Sequence, residues 1–125
     1  MSDTVTNALV WCEIPVTDLN TGVKFYSAVF NTKLEPTEFD GGEIAFFPHE
    51  GDTDSSGHIY VGKPAEKGTG GTIHLNAPDN LEATVARAFD AGGEIVGEPV
   101  TIPSGRFQYM LDPDGNSIGI FELAA

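Results

Sequence analysis

The sequence Val16-Thr17-Asp18-Leu19 decides the fold of this chain, because its pattern occurs twice. It opens an amphipathic stretch that runs to Phe30, and the strand-like Thr32-Lys33-Leu34 follows. About 61 residues further on, Ala77-Pro78-Asp79-Asn80-Leu81 opens a second amphipathic stretch, which the strand-like Glu94-Ile95-Val96 follows. An offset of about half the chain indicates a single internal duplication, since a solenoid would show more units. We therefore expect two similar modules that enclose a cavity.

The composition indicates one globular domain in a reducing compartment. The chain has 125 residues, of which 40% are hydrophobic and 20% charged, and this suffices for a sizeable core. No run approaches the roughly 20 apolar residues of a membrane span, and Met1-Ser2-Asp3-Thr4 lacks the features of a signal peptide. Cys12, the only cysteine, excludes an internal disulfide and is expected to be a buried, inert thiol. We therefore expect a cytoplasmic protein.

The charge balance is acidic and argues against two classes of partner. The chain has 19 acidic and 6 basic residues, for a net charge of -13. Nucleic acids and anionic membranes are poor partners for such a surface, because proteins bind both through lysine and arginine. The acidity fits either adaptation to a salty environment or a preference for a cationic ligand. The acidic residues are scattered along the sequence, which favours the first interpretation.

Each module is predicted to contain one helix with a defined start and end. Asp18 is the predicted N-cap of the first helix, which ends at Asn31. Asp79 or Asn80 caps the second helix, and Gly92-Gly93 ends it. Apolar residues at helical spacing predict the buried face of the second helix, which comprises Leu81, Val85, Ala88 and Phe89.

The remaining segments predict four strands in each module. Asp40-Gly41-Gly42 and Asp112-Pro113-Asp114-Gly115-Asn116 are predicted turns between strands, since glycine readily adopts a positive φ and proline fixes φ. The expected strands cover residues 8–16, 33–39, 43–48, 57–62, 72–77, 94–96, 106–111 and 117–123. The modules span about 7–63 and about 71–123, and a glycine-rich linker at about 64–70 joins them.

Three motifs occur in a fixed order along the chain: Glu13-Ile14-Pro15-Val16-Thr17-Asp18-Leu19, Phe25-Tyr26-Ser27-Ala28-Val29-Phe30 and Leu111-Asp112-Pro113-Asp114-Gly115-Asn116. In this combination they resemble the vicinal oxygen chelate superfamily, which includes glyoxalase I, extradiol dioxygenases, fosfomycin-resistance enzymes and bleomycin-resistance proteins. The resemblance implies a single α+β domain, residues 1–125, in which two βαβββ modules form an incomplete eight-stranded barrel. It also implies a homodimer, because a second subunit often completes or flanks the cup.

The resemblance further implies a divalent metal ion at the centre of the cup. His, Gln or Glu side chains from the first and last strand of each module would hold it. In this sequence those positions fall on Trp11, Thr72, Gly119 and Gly57. The assignment of Gly57 depends on an alignment that pairs Ser56-Gly57 with Ile118-Gly119. None of these residues is a good ligand. We therefore expect no metal at the usual positions, and we leave the cofactor unknown.

Strand alternation places other polar side chains beside these positions. If Trp11 points into the cavity, Glu13 does so too, and if Thr72 does, His74 and Asn76 follow. Glu13 and His74 would then face each other, either as an acid/base pair or as ligands of a displaced metal site. Alternatively, Glu13 bonds Arg106, Tyr109 or His74 and only satisfies a buried polar group.

Aromatic side chains complete the expected cavity. The predicted lining comprises Trp11, Phe47, Thr72, Asn76, Tyr109 and Phe121, although the aromatic members would also suit an ordinary core. Gly57 and Gly119 would leave room for a ligand or let the two backbones approach. His58 is a further weak candidate for metal binding. It points away from the cavity in this alignment, and a one-residue slip would reverse it.

These residues support three functions from different classes. The first is a metal-independent protein of glyoxalase-like fold that binds a small molecule, and the missing metal ligands and the acidity favour it. The second is a glyoxalase-related enzyme, a lyase, isomerase or dioxygenase relative, that uses Glu13 and His74. The third is an accessory protein whose own side chains fill the cavity.

Overall fold

The fold consists of two four-stranded mixed sheets with two helices. The computed structural model of the chain describes residues 7–51 and 54–125. Module one contains β1 (Trp11–Val16), α1 (Leu19–Val29), β2 (Pro36–Phe39), β3 (Gly42–Phe46) and β4 (Ser56–Val61). Module two contains β5 (Ile73–Asn76), α2 (Leu81–Asp90), β6 (Glu94–Ile102), β7 (Gly105–Leu111) and β8 (Ser117–Leu123). The expected α+β fold is confirmed, and the described strands form no closed barrel.

Both sheets have the same strand order, as the internal repeat in the sequence predicts. The order is β1-β4-β3-β2 in the first sheet and β5-β8-β7-β6 in the second. The pairs β1 with β4 and β5 with β8 are parallel, whereas the other neighbours are antiparallel. Each module therefore brings its first and last strands side by side. The side chains of these two strands alternate between the core and the opposite face of the sheet.

The predicted helix ends are confirmed. The Asp18 carboxylate accepts hydrogen bonds from the backbone N–H of Thr21 at 2.9 Å and from its hydroxyl at 2.7 Å. In α2 the N-cap is Asn80, whose side-chain oxygen accepts from the backbone N–H of Ala83 at 2.8 Å. Both caps satisfy a backbone donor that the first helical turn leaves free. At the other end, Asn31 (φ 50°) follows α1, and Gly92 (φ 102°) follows α2. A left-handed residue at these points turns the chain out of the helix.

Three strands differ from the sequence prediction by three residues or more. β2 begins at Pro36 rather than at residue 33. β1 begins at Trp11 rather than at residue 8. β6 runs from Glu94 to Ile102 and is longer than the expected 94–96, because its pairing with β7 is interrupted and then resumes. The register shifts between Val96 and Val100, and Gly97 has a φ of 71°. Glycine and Pro99 resemble the end of a strand in sequence, but here they mark an irregularity within one strand.

One hydrophobic core is shared by the two modules. It contains side chains of β1, α1 and β4 together with Leu81 and Ala88 of α2 and Ile118 of β8. The expectation that Phe89 faces this core is wrong, since its side chain is 69% exposed. Thr84 is fully buried instead, and its hydroxyl donates to the carbonyl oxygen of Asn80. Positions 81, 84 and 88 follow one face of the helix, and position 89 lies about 100° around from position 88.

The turn at 112–116 connects module two to module one. The Tyr26 hydroxyl of α1 donates to the buried Asp112 carboxylate at 2.6 Å. The Asn116 side-chain amide donates to the carbonyl oxygen of Pro15 at 2.7 Å, and the Thr17 hydroxyl donates to Asp114 at 2.6 Å. Burial, reinforced by the nearby Asp112 charge, raises the pKa of Tyr26 well above its usual range. These contacts hold the two modules together at the end of β1.

Neither helix, at 11 and 10 residues, has the length and hydropathy that crossing a bilayer would require. Cys12 is buried in the core, as expected, and burial raises the pKa of its thiol.

Candidate ligand-binding site

The parallel pairing of β1 and β4 gathers the polar groups of module one on one face. Glu13 is paired with His58, and Trp11 is paired with Ser56. Cys12 and Ile14 point to the opposite side and are buried in the core. His58 therefore shares a face with Trp11 and Glu13, and the expectation that it points away is wrong.

The error comes from a one-residue shift in the alignment of the two last strands. In module two, His74 of β5 is paired with Gly119 of β8. The corresponding pair in module one is Glu13 with His58, so His58, not Gly57, occupies the position that matches Gly119. A shift of one residue moves every side chain of a strand to the other face of the sheet. Such a shift, considered for His58 from the sequence, turns its side chain towards the cavity.

Trp11, His58 and Glu13 form a chain of polar contacts. The Trp11 indole N–H donates to Nδ1 of His58 at 2.9 Å. Nε2 of His58 lies 3.5 Å from Oε1 of Glu13. Because Nδ1 accepts a hydrogen bond, the proton of the neutral imidazole is on Nε2 and faces the carboxylate. The His58 side chain is 11% exposed and that of Glu13 is 65% exposed, so the contacts run from the buried base of the site to its open side.

Aromatic rings surround this polar chain. The ring of Phe46 lies 6.0 Å from Trp11 and 5.9 Å from His58, and Tyr60 lies 6.1 Å from His58. We call Trp11, Glu13, Phe46, His58 and Tyr60 the module-one face. It forms much of the wall of an open cavity of about 900 Å³.

Sequence reasoning missed two aromatic members of this face and misplaced a third. The strand prediction included Phe46 and Tyr60 but not their orientation, which the pairing of Phe46 with His58 fixes. Phe47, which was expected in the cavity, is 6% exposed and packs in the core 5.4 Å from the Tyr26 ring. Phe47 is also among the residues that line a second, smaller cavity of about 380 Å³. Alternation along β3 from Ile44 would have identified Phe46 as its partner on the cavity side.

The matching face of module two carries a different set of aromatic side chains. His74 packs against Phe107 at 5.3 Å, Phe121 at 5.8 Å and Tyr109 at 6.0 Å between ring centroids. We call these four residues the module-two cluster. The expected lining by Trp11, Phe47, Tyr109 and Phe121 is therefore divided between the two modules and the core.

The two glycines do not leave room for a ligand in this structure. A Cβ atom at Gly119 would overlap the imidazole of His74, which occupies the space above the glycine. A Cβ atom at Gly57 would lie 2.6 Å from the carbonyl oxygen of Cys12. Gly57 thus permits the close backbone approach that was the alternative explanation.

Glu13 and His74 are not brought into contact as a pair. Glu13 lies against His58, and His74 belongs to the module-two cluster. His74 and Asn76 line the smaller cavity, and none of the cavities formed by the described residues contains both Glu13 and His74. Arg106, one expected partner of Glu13, instead bonds Glu82 and Glu122. The acid/base hypothesis thereby loses the pairing of Glu13 with His74 on which it depended.

Comparison with known proteins places the chain in a family. Residues 8–120 match the model of the Glyoxalase/Bleomycin resistance protein/Dioxygenase superfamily. The chain belongs to this superfamily. The resemblance to the vicinal oxygen chelate superfamily is thereby confirmed.

Relatives of this superfamily member include proteins linked to antibiotics. The anthracycline biosynthesis protein DauV of Streptomyces sp. (strain C5) is 33% identical over 95% of this chain. The chain spans 42 to 45% of the length of the first four curated relatives, so those proteins are about twice as long. TnmS3, an antibiotic binding protein from Streptomyces sp. CB03234, is 24% identical with a TM-score of 0.65, covering 97% of this chain and 99% of that one.

The fold agrees with a further solved structure of the superfamily. A glyoxalase/bleomycin resistance protein from Albidiferax ferrireducens T118 has a TM-score of 0.72 at 23% identity. The match covers 94% of this chain and 100% of that chain. At this identity the similarity establishes the fold, and the chemistry has to be argued from the site.

The donor set of this superfamily member does not fit a divalent ion at the positions that the resemblance implies. The Trp11 indole is only a donor, and Gly119 has no side chain. The Thr72 hydroxyl lies 2.6 Å from the Ser117 hydroxyl. His58 has a suitable ring, but its Nδ1 already accepts from Trp11. Within residues 7–51 and 54–125, no three His, Cys, Asp or Glu side chains come together as a metal site.

Proposed function

We propose that this protein binds a small, flat, largely apolar molecule at the module-one face. The observation that carries the proposal is the cavity of about 900 Å³, which is lined by aromatic side chains around one polar chain. Ligand sites combine apolar walls with a few fixed polar groups in this way. Trp11, Phe46 and Tyr60 would contact the rings of the ligand, and Glu13 would fix its orientation.

Two relatives support the binding of a small molecule over the enzymatic functions of the superfamily. One solved relative is an antibiotic binding protein, and one curated relative is an anthracycline biosynthesis protein. The donor set supports binding without a divalent ion, because three of the four implied positions carry a non-ligand or a weak ligand. The proposal therefore requires no metal, and addition of Zn²⁺ or Mn²⁺ would leave the affinity unchanged.

The single tryptophan gives a direct test of the proposed site. Trp11 is the only tryptophan, so the indole N–H region of a ¹H–¹⁵N spectrum contains one side-chain signal. Flat aromatic compounds, including dihydroxyanthraquinone and acridine, are titrated while this signal is followed. We expect a saturable shift for at least one compound. Phe46→Ala should weaken that binding about tenfold, by loss of buried ring contact.

Phe121→Ala is the matched control, because it removes a ring of the same type from the module-two cluster. It should leave the affinity unchanged. A Trp11 signal that no compound shifts would contradict the proposal, as would a loss of binding in Phe121→Ala but not in Phe46→Ala.

We also propose that the protein forms a homodimer. Large apolar side chains outside the module-one cavity are exposed in the single chain, among them Leu9 at 62%, Val10 at 70% and Leu123 at 64%. Apolar surface of this kind is commonly covered in an assembly. Sedimentation velocity should give the mass of two chains, and a single-chain mass at high protein concentration would contradict this part of the proposal.

A further inference from the structure

The charges around the module-one cavity are all of one sign. Glu13, Asp40 and Glu43 are among the residues that line it, and neither a lysine nor an arginine is. Within the described part of the chain, none of the three carboxylates forms an ion pair with a lysine or an arginine. These acidic residues are far apart in sequence, and the β2–β3 hairpin brings two of them to the cavity that Glu13 lines.

The imidazole of His58 does not offer an acceptor to a ligand. Its Nδ1 is occupied by the Trp11 indole N–H, and its Nε2 proton faces Glu13. The acceptor that this polar chain presents to the cavity is therefore the carboxylate of Glu13, whose side chain is 65% exposed. A ligand group that approaches it must be a hydrogen-bond donor, and a positive charge would strengthen the contact.

The aromatic walls favour the same kind of ligand. The faces of tryptophan, tyrosine and phenylalanine rings attract cations, and tryptophan does so most strongly. Trp11 and Phe46 pack edge to face with 6.0 Å between their ring centroids, and they line the same cavity as Glu13. Carboxylates beside aromatic walls form a site for a molecule that is both aromatic and positively charged.

We propose that the module-one face selects a flat aromatic ligand that carries a protonated amine. The ammonium or ring N–H group donates to Glu13, with Asp40 and Glu43 adding attraction at the rim, and the rings pack on Trp11, Phe46 and Tyr60. This inference rests on the proposed function and adds the charge of the ligand to it. It also assigns a role to three acidic residues that are far apart in the sequence, Glu13, Asp40 and Glu43.

Three tricyclic probes of nearly the same shape test the charge preference at neutral pH: 9-aminoacridine as the cation, acridine as the neutral compound and acridine-9-carboxylate as the anion. Quenching of Trp11 fluorescence reports binding, because the protein has a single tryptophan. We expect the cation to bind about tenfold more tightly than acridine, and the anion more weakly than both. The preference should fall as salt is raised, since ions screen charge interactions.

Glu13→Gln keeps the shape of the side chain and removes its charge. We expect it to reduce the ratio of cation to acridine affinity several-fold while acridine binding is kept, and a further Asp40→Asn, Glu43→Gln pair should bring the ratio close to one. Glu98→Gln removes an exposed carboxylate of β6 and is the control, for which the ratio should not change. Circular dichroism confirms that each variant is folded.

The outcomes separate this inference from the proposed function. If acridine binds as tightly as 9-aminoacridine, or if Glu13→Gln and Glu98→Gln change the ratio equally, the charge preference is overturned while ligand binding stands. If none of the three probes quenches Trp11, the inference and the binding of flat aromatic ligands at this face both fail.

Discussion

Trp11 determines the chemistry of the candidate site through one hydrogen bond. Its indole N–H can only donate, so the bond to Nδ1 of His58 at 2.9 Å fixes where the imidazole proton lies. A histidine without such a partner would exchange between two neutral tautomers. Trp11 also forms part of the aromatic wall, and the same residue therefore shapes the cavity and orients its polar groups.

Trp11→Phe should remove the hydrogen bond to Nδ1 of His58 while an aromatic ring remains in place. We expect the ¹⁵N chemical shift of Nδ1 to move towards that of an imidazole nitrogen without a hydrogen bond, while the Glu13 carboxylate still favours the proton on Nε2. The free energy of unfolding should fall by about 1 kcal/mol, the usual value of one hydrogen bond. Phe46→Leu, which leaves the bond intact, is the control, and His58 shifts that stay the same in Trp11→Phe would contradict the assignment.

Gly57 and Gly119 should respond differently to substitution by alanine. At Gly57 the new methyl group would lie 2.6 Å from a backbone carbonyl oxygen, which cannot move without disturbing the pairing of β1 with β4. At Gly119 the nearest atoms belong to the His74 side chain, which can rotate. We expect Gly57→Ala to reduce the free energy of unfolding by about 1 to 3 kcal/mol, and Gly119→Ala by less. Urea unfolding measures both, and equal losses would contradict this account.

At the scale of elements, Arg106 of β7 connects α2 to β8. Its guanidinium donates to both carboxylate oxygens of Glu82 in α2, at 2.6 and 2.8 Å, and also to Glu122 in β8. Glu122 in turn accepts from the backbone N–H of Leu81 at 2.7 Å and so supports the start of α2. These hydrogen bonds from Arg106 lower the pKa of Glu82 to about 2 and also lower that of Glu122.

These two carboxylates make stability depend on pH in acid. Because the folded pKa of Glu82 is about 2 and its reference value is 4.5, the unfolded chain binds more protons between these values. The contribution of Glu82 is therefore present above about pH 4.5 and is lost as the pH falls towards 2. The Glu82 side chain is 68% exposed and that of Glu122 is 28% exposed, so screening by solvent keeps the effect modest.

Arg106→Met should flatten this part of the stability profile. We expect the free energy of unfolding to depend less steeply on pH between about 4.5 and 2 than in the original chain. Lys33→Met, which removes an exposed positive charge elsewhere, is the control and should keep the slope. Urea unfolding at a series of pH values measures it, and an unchanged slope in Arg106→Met would contradict the role of Arg106.

At the scale of the whole molecule, one duplicated topology has produced two different faces. In module one the imidazole is on the last strand, at His58, and the cavity side of the first strand carries Glu13. In module two the imidazole is on the first strand, at His74, and covers Gly119 on the last strand. His74 and its aromatic neighbours fill much of their own face, whereas module one keeps a large open cavity.

The shared core predicts that the two modules unfold together. Residues of both modules belong to one cluster of buried side chains, and the Tyr26 to Asp112 hydrogen bond crosses between them. We expect a single cooperative transition in which Trp11 fluorescence, which reports module one, coincides with the loss of Tyr109 and His74 signals in NMR spectra. Two separate transitions would show that each module has an independent core.

The sequence by itself determined the elements and their order. Helix caps, the Asp40-Gly41 turn and the Asp112 to Asn116 turn depend on residues that are neighbours in the chain, and the duplication set the order of strands. The positions of Cys12 in the core and of Trp11 beside Glu13 also followed from alternation along one strand.

Only the tertiary structure decided which groups meet at the site. The register of β4 against β1 places His58 on the cavity side, and the sequence signal for it is weak because one residue of slip reverses every side chain. The contact of Glu13 with His58, the burial of Phe47 and the presence of Glu13, Asp40 and Glu43 along one cavity depend on contacts between distant segments. Such contacts are fixed by packing across sheets and hairpins, and spacing along the chain does not encode them directly.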